Sequence, residues 1–132
     1  MAYIWKKEYE TNNISVDRQH KQLVDIFNKF MEDCMSGKSF AKLDEMLKFL
    51  CEYTVKHFSD EENWQKQINY PGYMNHKKIH DAFKQTALNL YDKFKKEGSS
   101  ASMIVQLNKD IGEWLVNHIL FEDQKIAAYL RA

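Results

Sequence analysis

His57 and Glu61 stand four residues apart in this chain, and so do His76 and His80. On an α-helix, residues at i and i+4 lie one above the other on the same face, so each pair aims two metal-capable groups in one direction. Between the pairs lies Tyr70-Pro71-Gly72, a break that lets a second helix fold back beside the first. Three further candidates, His20, His118 and Asp123, lie far off in sequence. Imidazole and carboxylate are ligand types for transition-metal ions. Their use depends on whether the elements that carry them bring them together.

Those elements read as helices. Proline occurs once and glycine four times, and long unbroken stretches are rich in Lys, Glu, Leu, Phe and Met. No alternating run competes as a strand. The spacing predicts helices over about residues 18–36, 40–65, 73–96 and 101–121. An arm over residues 1–16 precedes them, with Trp5 as its anchor and Asp17 as the first helix's N-cap. A short helix or turn over 122–132 follows, packed through Ile126, Tyr129 and Leu130. Short Gly- and Ser-containing links end the helices at Ser36-Gly37-Lys38-Ser39 and Gly98-Ser99-Ser100.

Each helix carries an apolar stripe at three- and four-residue spacing. In the first it is Leu23, Phe27, Phe30/Met31 and Cys34, and its backward extension lands on His20. The second stripe, Leu43, Leu47, Leu50 and Thr54, runs on into His57 and Glu61. The third holds His76 and His80 between Tyr73 and Phe83, and continues to Ala87, Leu90 and Phe94. The fourth is Ile104, Leu107, Ile111 and Trp114/Leu115, ending on His118. Gly112 interrupts this last helix at a cost of about 1 kcal/mol relative to Ala, which points to close approach of a neighbouring helix. Asp60 and Glu62, flanking Glu61, are expected to point into solvent. The lysines of the third helix lie mostly off its stripe and form a solvated face.

Four amphipathic helices joined by short links predict an all-α fold: an antiparallel up-down-up-down four-helix bundle. In that order the start of the first helix, the end of the second, the start of the third and the end of the fourth share one end. All five histidines and Glu61 then lie at one level and face inward, with Asp123 close by. A lone histidine on an apolar face is ordinarily a hydrogen-bonded core residue. Five together would leave several donors and acceptors without partners, and an unpaired buried carboxylate is costly.

A metal resolves both problems. Seven ligands exceed the four that one structural zinc ion takes, and they suit two six-coordinate ions. Imidazole with carboxylate fits iron or manganese, with iron the leading candidate. His118 and Asp123 are five residues apart, which on an ideal helix is a rotation of about 140°. A π-type turn or local unwinding is therefore expected between them.

Composition narrows the partners. Nineteen basic and nineteen acidic residues cancel, which gives no support for nucleic acid or an anionic membrane surface. No apolar run approaches the roughly 20 residues that cross a bilayer. The N-terminus lacks the apolar core of a secretory signal, so a cytoplasmic location is expected. The 132 residues suit a single domain. Cys34 and Cys51 lack CxxC spacing and read as buried thiols.

The chain strongly resembles the hemerythrins, especially the single-domain bacterial ones. The matching residues are Trp5, Asp17-Arg18-Gln19-His20, His57-Phe58 with Glu61-Glu62, Tyr70-Pro71-Gly72-Tyr73, His76 with His80, and Trp114-Leu115 with His118 and Asp123. The resemblance implies a non-haem centre of two iron ions with an oxo or hydroxo bridge. It implies that His76, His80 and His118 hold one iron, His20 and His57 the other, and that Glu61 and Asp123 bridge both. One coordination position then stays open, on the iron with two histidines, and in this family dioxygen binds there. Phe58, Phe83, Trp114, Leu115 and Ile119 are placed to line a dry oxygen pocket. Asn63-Trp64-Gln65 departs from the smaller aliphatic or Met residues expected after Glu61-Glu62.

The function so implied is reversible dioxygen binding, for storage, delivery or scavenging, rather than enzymatic turnover. The alternatives are a di-iron redox enzyme (oxidase, peroxidase or nitric-oxide handling) and an oxygen or redox sensor acting on a partner in trans. A redox partner is a further expectation.

Overall fold

The computed structural model describes residues 2–132. The arm contains one 3-10 turn, Lys7–Tyr9, and is tied to α1 through Tyr3 and Asn28. Helix α1 spans Ile14–Met35, α2 Phe40–Gln67 and α3 Tyr73–Glu97. The last helical run is composite: α4 Ala101–Leu107, a π turn Asn108–Glu113, α5 Trp114–Asn117, a second π turn His118–Glu122, and α6 Asp123–Arg131. There are no strands among the described residues.

Local chemistry accounts for most of the boundaries. Ser39 and Ser100 cap α2 and α4, their hydroxyls accepting from the Lys42 and Met103 amides. Gly37 ends the α1 link at φ +78°, a left-handed conformation in which a Cβ would be strained. The first helix begins four residues earlier than its spacing predicts. Asn13, not Asp17, is its N-cap, with the side chain accepting from the Val16 amide. Asp17 lies buried inside α1 and accepts from both the amide and the hydroxyl of Thr11, each at 2.8 Å. It ties the arm down instead of starting the helix.

The predicted stripes form the core. Leu23, Phe27 and Phe30 of α1 meet Leu43, Leu47 and Leu50 of α2 and Phe83, Leu90 and Phe94 of α3. Met103, Leu107 and Ile111 close the fourth side. Helix α1 packs on α2, α2 on α3, α3 on α4, and the first π turn returns against α1. Gly112 lies in that π turn. A Cβ there would stand 2.5 Å from the Phe27 ring and 3.0 Å from Tyr3, so close approach of α1 and the arm excludes a side chain.

In the arm Tyr9 is buried, Trp5 half-buried and Ile4 exposed; Ile14, which opens α1 instead of belonging to the arm, is also exposed. Cys34 is buried and Cys51 only partly so. No helix among the described residues is long and apolar enough to cross a membrane.

Candidate metal centre

The bundle brings His20 from α1, His57 and Glu61 from α2, His76 and His80 from α3, and His118 and Asp123 from the last helical run to one buried place. Their ligand atoms form two groups. One is Glu61, His76, His80, His118 and Asp123; the other is His20, His57, Glu61 and Asp123. Within each group the atoms lie within 4.8 Å of one another.

The two carboxylates belong to both groups, and they divide their oxygens between them. Glu61 Oε1 lies 3.0 Å from His76 Nε2 and 3.4 Å from His80 Nε2. Glu61 Oε2 lies 3.3 Å from His20 Nε2 and 3.4 Å from His57 Nε2. Asp123 repeats the pattern. Its Oδ1 is 3.1 Å from His76 and 3.3 Å from His118, while its Oδ2 is 3.0 Å from His20.

The imidazole spacing is that of ligands rather than of a hydrogen-bonded core. His76 Nε2 and His80 Nε2 each stand 3.0 Å from His118 Nε2. One ring nitrogen cannot serve both neighbours as hydrogen-bond donor and acceptor at once. Two donors held at right angles, each about 2.1 Å from one ion, lie about 3.0 Å apart. Among the described residues, Glu61 Oε1 and both Asp123 oxygens are buried without a proper hydrogen-bond partner. Among the described residues, neither carboxylate pairs with a lysine or arginine; histidines are their only ion-pair partners. The donor set therefore fits metal cations.

Charge coupling within the cluster is strong. Burial opposes the charge on His20, but close contacts with the Asp123 and Glu61 carboxylates outweigh it and raise its pKa to about 10. His76 is raised to about 9 in the same way. Burial, and then the charge on His20, keep His57 below the ordinary imidazole value. Burial likewise pushes Glu61 up, yet contacts with four histidines hold it well below the usual carboxylate range. Asp123 is held low by His118 and His20 against burial and the Glu61 charge.

The outer nitrogens of two histidines are fixed by neighbouring side chains. His80 Nδ1 lies 2.8 Å from Glu62, and His57 Nδ1 lies 2.7 Å from the Gln19 carbonyl oxygen. Gln19 in turn donates to Asp60 at 2.8 Å, and Lys56 pairs with the same carboxylate at 2.9 Å. Such contacts fix a ring's tautomer and orientation. Glu62 thus corrects the expectation that it points into solvent; it is buried against His80. Asp60 is half-exposed and engaged through Gln19 and Lys56 rather than free. Sequence reasoning missed Gln19 and Glu62 as positioning residues. Their adjacency to His20 and Glu61 was the available signal.

Aromatic rings wall one side. Phe58 stacks on His80 with centroids 3.8 Å apart and planes within 5°. Trp114 stacks on His118 at 4.6 Å and on Phe83 at 3.8 Å. Phe83 and Trp114 thus back the three-histidine group, whereas Phe58 also reaches His57, at 6.1 Å. Leu115 and Ile119 are buried on the same helical run. From the arm, the Trp5 ring comes within 6.5 Å of His20.

The second π turn, His118–Glu122, supplies the missing rotation. It brings Asp123 back to the side of the helix that carries His118, as the five-residue spacing requires.

Comparison with known proteins agrees with this geometry. The hemerythrin HHE cation binding domain matches residues 14–130. The bacteriohemerythrin of Pseudomonas paraeruginosa is 29% identical over 120 residues, covering 91% of this chain and 76% of its own length. That of Methylococcus capsulatus is 30% identical over 112 residues, covering 85% and 83%. The myohemerythrin of Sipunculus nudus is 38% identical over 81 residues, covering 61% and 62%. The chain belongs to the hemerythrin family of HHE cation-binding domains.

Proposed function

We propose that this protein binds dioxygen reversibly at a centre of two iron ions. The carrying observation is the division of carboxylate oxygens. Glu61 Oε1 and Asp123 Oδ1 face His76, His80 and His118, while Glu61 Oε2 and Asp123 Oδ2 face the His20 and His57 side. Two ions seated in the two groups would be bridged by both carboxylates. Bound there, with His76, His80 and His118 on one side and His20 and His57 on the other, the ions would supply a redox pair able to take up dioxygen.

The residues around the ions favour binding over turnover. Five imidazoles are neutral ligands, and only two carboxylates bring negative charge. Carboxylate-rich di-iron bundles use four Glu and two His, and anionic ligands stabilise high oxidation states. This donor set instead favours return to the reduced pair. Phe58, Phe83, Trp114, Leu115 and Ile119 exclude water, which limits proton access and oxidative loss of the bound gas. A cytoplasmic setting, with its reductants and a redox partner, suits a centre that must be returned to the ferrous state.

The test is repeated oxygenation and deoxygenation of the reduced, iron-loaded protein, followed by stopped-flow absorbance. A stable oxygenated spectrum that clears on degassing and returns on re-exposure is the expected result. Rapid one-way conversion to the ferric form with consumption of a reductant would make the protein an oxidase or peroxidase instead.

A further inference from the structure

Gln65 is fully buried, yet among the described residues neither its amide oxygen nor its amide nitrogen has a hydrogen-bond partner. It sits on α2 four residues beyond Glu61, and so on the helix face that carries His57 and Glu61. Four residues correspond to a rise of about 6 Å, one turn from the carboxylate. An apolar side chain would fill this position without loss, whereas a buried amide forfeits its hydration at both ends. Buried polar groups in folded proteins are paired with protein atoms or with an internal water, which typically makes about three hydrogen bonds.

The nearby chemistry selects water as the partner. The carboxylate oxygens of Glu61 and Asp123 are all acceptors, and an oxygen that binds an ion keeps a lone pair for a hydrogen bond. The Gln65 amide offers both donors and an acceptor. A water molecule can accept from the amide nitrogen, donate to the amide oxygen, and turn its second O–H toward the carboxylates.

We propose that Gln65 holds a buried water molecule beside the carboxylate layer, a polar foothold in a centre otherwise walled by aromatic and aliphatic groups. The water site itself is independent of what the centre binds. Its consequence rests on the oxygen-binding reading: a proton given up by this water would let bound dioxygen leave as the hydroperoxyl radical, carrying one electron taken from the iron pair and leaving hydroxide at the water site. Gln65 is then a positioning residue that sets the lifetime of the oxygenated form.

The test uses the full-length chain, with Gln65→Met and Gln65→Leu as two apolar replacements. High-resolution crystal structures of the native chain, iron-loaded and metal-free, are expected to show an ordered water within hydrogen-bond distance of the Gln65 amide. The variants are expected to lack it, to keep native iron content, and to oxidise spontaneously severalfold more slowly. Absence of that water from the native crystals would overturn the proposal, as would variants that lose it yet oxidise at the native rate. Failure of reversible oxygenation would count against the oxygen-binding reading and leave the water in the crystals as a separate result.

Discussion

His118 Nε2 lies 3.3 Å from Asp123 Oδ1 although the two residues stand five positions apart on one continuous helical run. An α-helix would turn the second residue well away from the first, and the intervening π turn removes that offset. The helix gives up regular hydrogen bonding at this point, and the side chains gain a common target. His118→Ala and Asp123→Asn should each cut iron content well below half of native, with helical circular dichroism retained. Native iron content in either variant would take that residue out of the centre.

Glu62 and His80 form a close, buried contact behind the cluster, at 2.8 Å. Glu62→Ala leaves every proposed ligand in place but frees the His80 ring. Loss of such an orienting contact typically weakens metal affinity about 10–100-fold. Competition with a chelator should show that weakening, and unchanged retention of iron would reduce Glu62 to a packing role.

The sequence carried most of this arrangement because helical periodicity and metal chemistry are both local signals. His57 with Glu61 and His76 with His80 declare their shared faces by spacing alone. The antiparallel order then brings distant His20 and His118 to the same end. What it did not carry depends on tertiary context. Asp17 has the chemistry of an N-cap, but Thr11 claims its carboxylate and Asn13 takes the cap. Glu62 looks like a surface residue until α3 places His80 against it. The π turn at Asn108–Glu113 has no counterpart in the spacing of the stripe, beyond the glycine that its close contact with Phe27 requires.

Leu115 is buried beside the aromatic wall. Leu115→Ala opens space there and should cost about 2–5 kcal/mol of stability. More telling is the expected effect on the oxygenated form, whose spontaneous oxidation should quicken as water gains entry. An unchanged oxidation rate at a temperature where the variant is folded would remove Leu115 from the pocket.

Acid–base behaviour provides another check. With no metal bound, His20 and His76, raised to about 10 and about 9, hold protons at neutral pH. The stability they contribute is complete below about pH 6.5, the unfolded histidine value. It drains away as pH climbs through 9 and 10. Ions entering the cluster must displace those protons, so loading should release acid and strengthen as pH rises. Loading in weakly buffered solution with a pH electrode reads this directly. Uptake without proton release would contradict the coupling.

Anomalous diffraction at the iron edge, on crystals of iron-replete protein, tests the centre itself. Two peaks are expected: one among His76, His80 and His118, the other beside His20 and His57, both facing Glu61 and Asp123. A single peak, or none, would contradict a carboxylate-bridged pair.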